Sequence, residues 1–164
     1  MKNQPPFKAK ITLRLGLVVL AMAIVALASP ESRQASSGGE QEKRVREFVE
    51  AFNARKVDVM LELTAENIQW MIIDGAKVSI ETEGKGALRE SMERYFSSCS
   101  SCRSSLEWVQ IAGSRVTAME RASWSGNDGA KSQRSLSVYE FRGGKILRVY
   151  YFPAEAVTFP PQAK

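Results

Sequence analysis

Hydrophobic residues in the first half of the chain recur with a helical period in three segments. From Glu40 to Ala54 they fall three and four positions apart with charged residues between them, which predicts an amphipathic helix with one buried face. A second, short helix is predicted over Val57 to Leu63, and the same spacing returns from Gly84 to Cys99. The pattern therefore predicts three helices in this half of the chain.

Alternation of apolar and polar residues marks the strands. Ile68, Trp70 and Ile72 alternate with their neighbours up to a turn at Asp74-Gly75. Further strand-like segments follow the third helix and are separated by glycine-containing turns. They cover residues 106–111, 115–124, 132–141 and 146–152. Helices followed by a run of strands predict an α+β fold, with the helices packed on one face of a strongly bent antiparallel sheet.

The first 28 residues have the pattern of an export signal. Basic residues without any acidic residue precede an apolar run from Leu15 to Ala28, and Ala26-Leu27-Ala28 is a small-x-small cleavage pattern. The run is shorter than the roughly 20 residues that span a bilayer, so cleavage is favoured over a retained anchor. We expect a periplasmic or secreted protein that contacts the membrane only through this segment.

Four sections of the chain follow from these patterns. They are a signal peptide at 1–28, a flexible linker at 29–39, one folded domain at 40–156 and a tail at 157–164. The linker is predicted because its residues are small and polar and show no apolar period. The remaining length suits one domain with one core.

Charge and composition exclude several classes of function. The chain has 23 Lys and Arg against 18 Asp and Glu, but four of the basic residues belong to the leader, so the mature chain is nearly neutral. Because a nucleic acid partner requires a clustered basic face, none is expected. The chain contains no histidine, which excludes a histidine-based triad and metal sites that use histidine. No metal and no cofactor is expected.

Cys99 and Cys102 are the only cysteines. In an exported chain this C-x-x-C spacing favours a structural disulfide. A zinc site would require two further Cys or His ligands, which the chain lacks. We expect a disulfide at the end of the third helix, with reduced thiols and a redox role as the alternatives.

Three stretches carry a resemblance to the NTF2-like superfamily, and within it to SnoaL-like and ketosteroid-isomerase-like bacterial members. They read EFVEAFNARKVDVMLELTAENIQW, GKGALRESMERYF and VYEFRGGKILRVYYF. The resemblance implies a cone in which helices close over a curved sheet and leave an apolar pocket. It also implies a homodimer formed through the sheet's outer face, with Tyr150 and Phe152 as candidate contacts. Members of the superfamily include isomerases, cyclases, dehydratases, epoxide hydrolases and binding modules without catalysis.

The resemblance also implies that the catalytic groups of the ketosteroid isomerases are missing from this chain. Superfamily ketosteroid isomerases use a tyrosine on the first helix, an aspartate base and a protonated aspartate on a late strand. In a gapless comparison these positions hold Phe48, Met71 or Ile72, and Ser137. Superfamily dehydratases rely on histidine. Steroid-type isomerisation by that mechanism is therefore not expected here.

Glu120 is the candidate catalytic residue. The even-numbered face of the segment 115–124 is apolar apart from this residue. A carboxylate there would be desolvated, which suits a general acid or base, with Ser137 or Tyr139 as hydrogen-bond donors. The competing interpretation is a structural ion pair with Arg134 or Arg148.

Polar and aromatic residues of the strands and the third helix are the expected lining of the pocket. The candidates are Trp70, Tyr95, Trp124, Ser135, Ser137, Tyr139 and Tyr151. Such residues orient a ligand by hydrogen bonds without transferring a proton. The leading hypothesis is a domain that binds an apolar or amphipathic small molecule. The alternatives are a cyclase, isomerase or hydrolase type of enzyme using Glu120, and a protein-binding or assembly module.

Overall fold

The computed structural model describes residues 30–157, with side chains described from residue 38 onward. The described part contains three helices and seven strands. In chain order they are α1 Pro30–Asn53, α2 Val57–Glu62, β1 Thr64–Asp74, β2 Lys77–Glu83, α3 Gly84–Ser98, β3 Arg103–Ala112, β4 Arg115–Gly126, β5 Gly129–Arg142, β6 Lys145–Tyr151 and β7 Glu155–Ala156. The predicted signal peptide and all but the first residue of the predicted tail lie outside the described residues.

The structure differs from the predicted linker, because α1 begins at Pro30 and runs through the small polar segment. Proline is well suited to the first position of a helix, since its missing N–H has no partner there anyway. Gly38 is buried in this helix. A Cβ at this position would lie 3.1 Å from Cγ2 of Ile111 on β3. Glycine therefore lets the helix approach the sheet closely.

The α+β fold is confirmed, and the sheet is strongly curved and unclosed. The strand order is β2-β1-β6-β5-β4-β3, with β7 paired to β5. The pairing of β1 with β6 is parallel, so the sheet is mixed and the prediction of an antiparallel sheet was wrong. The alternation within one strand shows which face is buried and says nothing about the direction of its neighbour. The prediction also missed β2 and β7.

Register shifts in three antiparallel pairings help to bend the sheet. They lie between Trp70 and Met71, between Leu106 and Trp108, and between Glu140 and Phe141. Helices α1 and α3 contact strands of the sheet. The buried core between them includes Val45, Phe48, Leu88, Met92, Val116, Tyr139 and Val149.

Cys99 and Cys102 form the expected disulfide directly after α3. Arg55, which follows α1 with φ +58°, donates to the carbonyl oxygens of Cys99 and Ser100. Its guanidinium also lies 5.0 Å from the ring centre of Phe96 on α3. The ends of α1 and α3 are therefore held together. Among the described helices, none is both long and apolar enough to cross a membrane.

Candidate functional site

A cavity of about 470 Å³ lies between the inner face of the sheet and helices α1 and α3. Sites for small molecules typically measure roughly 300–1,000 Å³. Most of the wall is aromatic or aliphatic: Phe48, Val49, Phe52, Trp70, Ile72, Met92, Tyr95, Ala122, Tyr139, Tyr151, Phe152, Pro153 and Ala154. Its polar residues are Glu81, Thr82, Ser91, Arg103, Ser104, Glu120, Gln133 and Ser135.

Glu120 lines this cavity, is only 6% exposed, and accepts hydrogen bonds from four hydroxyl groups. Ser137 Oγ and Tyr139 OH donate to its Oε1 at 2.6 and 2.5 Å. Ser104 Oγ and Tyr151 OH donate to its Oε2 at 3.0 and 2.8 Å. A carboxylate offers about four lone-pair positions to donors. All of them are therefore used within the protein, and we refer to these five residues as the carboxylate–hydroxyl cluster.

Strand register brings this cluster together. Within the β4–β5 pair Ala118 is opposite Ser137, and within the β5–β6 pair Ser137 is opposite Tyr151. Glu120 lies two residues along from Ala118 on the same face, so it is a diagonal neighbour of Ser137 and within reach of longer side chains on β5 and β6. The inward alternation predicted from the sequence is thus the alternation that places the carboxylate in the cavity.

Ser104 was missed by the sequence prediction, which began the strand corresponding to β3 at Leu106. The side chain of Asn53 holds its backbone: Nδ2 donates to the carbonyl oxygen of Ser104, and the amide of Ser104 donates to Oδ1, both at 2.8 Å. Ser104 also lies opposite Ala122 on β4. The contact with Asn53 joins residues 51 positions apart, so local pattern carries no sign of it. Extending the alternation of inward-facing residues from Leu106 back by two positions would have predicted that the side chain of Ser104 faces inward.

The predicted ion pair of Glu120 with an arginine was wrong. Arg134 pairs with Glu107 at 2.9 Å, and Arg148 pairs with Glu140 at 3.4 Å. Both pairs lie on the outer face of the sheet. Among the ion pairs of residues 38–157, none involves Glu120. The buried carboxylate is balanced by hydroxyl dipoles alone.

The two tyrosines of the cluster keep their protons. Burial raises the pKa of Tyr139 and of Tyr151 well above 10, and the neighbouring charge of Glu120 raises each further. A phenol held in this form donates a hydrogen bond and does not act as a base at neutral pH. Both hydroxyl groups are therefore fixed as donors toward Glu120.

Several predicted residues do line the cavity. The ring of Trp70 stacks on Tyr151, with centroids 5.1 Å apart and an interplanar angle of 18°. Tyr95 reaches the cavity from α3 and is 38% exposed. Ser135 also lies on the lining and donates to the carbonyl oxygen of Phe152 at 2.5 Å.

At three other positions the structure differs from the prediction. Trp124 does not line the cavity, because it lies near the far end of β4 opposite Lys131. Ser137 is fully buried behind Glu120 and reaches the cavity only through it. Phe152, expected on the outer face, contributes to the lining because β6 ends at Tyr151.

Comparison of the sequence with protein families finds one match, to the SnoaL-like domain, over residues 45–149. This range covers most of the chain. The chain belongs to the SnoaL-like domain family. No curated protein gives a significant match to this SnoaL-like domain.

Solved structures resemble this SnoaL-like domain in fold at low sequence identity. The protein Bal32a from a soil-derived mobile gene cassette is 19% identical with a TM-score of 0.61, over 70% of this chain and 89% of Bal32a. A provisionally assigned ketosteroid isomerase from Kribbella flavida is 15% identical with a TM-score of 0.62, over 76% of this chain and 85% of the isomerase chain. A provisionally assigned polyketide cyclase from Xanthomonas campestris is 21% identical with a TM-score of 0.53, over 71% of this chain and 92% of the cyclase chain.

The chemistry available in this SnoaL-like domain centres on Glu120. Phe48 and Ile72 line the cavity at positions that the isomerase comparison assigns to acid–base groups, and neither carries one. Within residues 38–157 no group of three or more His, Cys, Asp or Glu side chains is arranged to hold a metal ion. The site is a largely apolar cavity with one buried, fully hydrogen-bonded carboxylate at its wall.

Proposed function

We propose that this SnoaL-like domain is exported and binds an apolar or amphipathic small molecule in its cone. The observation that carries the proposal is the carboxylate–hydroxyl cluster at the wall of a largely apolar cavity of about 470 Å³. Burial of apolar ligand surface supplies affinity at roughly 25 cal/mol per Å². The few polar groups fix the ligand's orientation. The basic leader, its cleavage pattern and the disulfide support export.

Binding is favoured over catalysis by the state of the polar groups. All four acceptor positions of Glu120 are occupied by hydroxyl groups of the protein. A general base must be within hydrogen-bond reach of the proton that it removes, so a substrate would first have to displace one of these donors. An open cavity of this size also argues against the third hypothesis, a protein-binding module with a filled cone.

Isothermal titration with 2-naphthylmethanol, a rigid apolar probe with one hydroxyl group, tests the proposal. We expect saturable binding to the mature domain. Ala122 lines the cavity, so Ala122→Phe fills it and should abolish binding. Ala130 is exposed at the start of β5, outside the lining. Ala130→Phe adds the same side chain there and is the matched control, which should bind like the wild type. Equal binding by both variants, or no binding by any protein, would contradict the proposal.

An enzyme that uses Glu120 as acid or base is the second candidate. One observation favours it: the carboxylate lines the cavity directly, and no cation pairs with it among the described residues. A test is the exchange of the methyl protons of 2-acetylnaphthalene in D₂O, followed by NMR. A cavity base would accelerate exchange above the buffer rate, and Glu120→Gln would remove the acceleration. Exchange at the buffer rate in the presence of wild-type protein would exclude this candidate for ketone substrates.

A further inference from the structure

We propose that the cavity selects ligands whose buried polar end donates hydrogen bonds, an organic ammonium above all, and discriminates against those whose buried end only accepts them. This inference rests on the proposed binding function and names the class of ligand. It depends on where the hydroxyl protons of the carboxylate–hydroxyl cluster point.

Each of the four hydroxyl groups around Glu120 has one proton, and each donates it to a carboxylate oxygen. The two carboxyl oxygens of Glu120 thus act as acceptors toward all four hydroxyl groups. Ser104, Tyr139 and Tyr151 also line the cavity. With their protons directed at Glu120, these hydroxyl oxygens present only lone pairs to a ligand.

Glu120 is buried, and the ion pairs among residues 38–157 leave it without a cation. Glu81 and Arg103 also line the cavity, but both are exposed, so water and salt screen their charges. The unscreened field inside the cavity is therefore negative. An ammonium group would enter it favourably, and a carboxylate would meet repulsion.

Aromatic rings lie beside the carboxylate–hydroxyl cluster. Trp70 stacks on Tyr151, and the ring of Phe48 lies 6.2 Å from that of Trp70. All three residues line the cavity beside the cluster. Aromatic faces attract a cation, most strongly when it is desolvated. The rings and the carboxylate therefore favour the same positively charged end of a ligand.

A ketone or carboxylate ligand would find no free donor in the carboxylate–hydroxyl cluster. Its oxygen needs a donor, and the cluster's protons are committed to Glu120. Turning one hydroxyl group toward the ligand would leave a lone pair of a buried carboxylate without a donor. A hydrogen bond to a charged group contributes more than one between neutral groups, about 1.5–3 kcal/mol net, so its loss outweighs the gain.

Four probes with the same naphthalene body test the inference by titration calorimetry at neutral pH: 2-naphthylmethylamine, 2-naphthylmethanol, 2-acetylnaphthalene and 2-naphthoic acid. We expect the ammonium to bind about 10-fold or more tightly than the ketone and the carboxylate, as expected for one extra charge-assisted hydrogen bond. The alcohol, a neutral donor, should lie between them. This ranking is measured on the wild-type protein and does not depend on any variant.

The affinity of the Glu120→Gln variant for the same probes is the second measurement. The substitution should lower the affinity for the ammonium probe about 10-fold, because the negative charge is removed, and move the affinity for the neutral alcohol much less. Glu66→Gln makes the same change at an exposed carboxylate outside the cavity and should change neither affinity. A ketone or carboxylate that binds wild type as tightly as the ammonium would overturn the inference and leave the binding function standing. Absence of binding by all four probes would overturn both.

Discussion

At the scale of single residues, Glu120 shows what a sequence pattern can predict and where it stops. Alternation along β4 predicted that the side chain faces inward among apolar residues, and it does. The same reasoning offered Arg134 or Arg148 as partners, yet both face the opposite side of the sheet. The actual partners come from β3, β5 and β6. Their meeting depends on register across the sheet, which no segment encodes by itself.

Glu120→Gln is expected to lower the free energy of unfolding by about 1–3 kcal/mol, the cost of weakening hydrogen bonds to a buried charge. The new amide group brings two protons to a place where four hydroxyl groups already donate, so at least one of them must turn away. Urea denaturation of variant and wild type measures this. Unchanged stability would mean that the hydroxyl groups do not depend on the charge.

The tyrosines make the fold sensitive to high pH. Their raised pKa values mean that the folded state holds the protons of Tyr139 and Tyr151 more tightly than the unfolded state does. Their contribution to stability is therefore fully present below the ordinary tyrosine value of about 10 and is lost as the pH rises beyond it. Tyrosinate absorbance during alkaline titration should show these two ionising only as the protein unfolds. Their titration in the folded protein near the ordinary value would contradict the assignment.

At the scale of elements, helices and strands with a strong period were predictable, and the irregular links were not. The spacing in α3 and the alternation in β4 and β5 matched the structure to within a few residues. Strand β2 was missed although Val78 and Ile80 alternate with polar residues in the sequence. In the structure both of these side chains are exposed. The parallel pairing of β1 with β6 was missed because it joins distant parts of the chain.

The disulfide belongs to this scale, since it fixes the exit from α3. A loop this short removes little freedom from the unfolded chain, so Cys99→Ser with Cys102→Ser should cost about 2 kcal/mol, against almost 5 for a loop of 100 residues. Thermal denaturation of the double variant measures the cost. Intact mass after alkylation, with and without prior reduction, reports the bond itself. Free thiols in exported protein would refute the bond, and a much larger loss of stability would refute the local role.

At the scale of the whole molecule, export is the first prediction. N-terminal sequencing of the protein from its native host should begin near Ser29, because the small residues Ala26 and Ala28 fit the cleavage pattern. Intact Met1 on protein from a soluble cytoplasmic fraction would refute it.

A homodimer through the outer face of the sheet is the second prediction at this scale. Half-buried Met119, Leu136 and Val138 lie on this face, and Trp108 is 48% exposed beside them. A stable interface buries about 1,200–2,000 Å² in total, so light scattering at micromolar concentration should give twice the mass of one chain. Val138→Lys places a charge on this face and should give the mass of one chain, with an unchanged circular dichroism spectrum. A wild-type protein that is monomeric under these conditions would contradict the prediction.

The parallel pairing of β1 with β6 also has a consequence for the order of events during folding. It brings together residues such as Gln69 and Arg148, which are 79 positions apart. Closing so long a loop costs entropy before any contact repays it, and contacts between distant residues slow folding. Tyr151, at the end of β6, supplies both a hydroxyl group of the cluster and part of the cavity wall. A chain that emerges amino end first therefore completes this cavity only after β6 is free to fold.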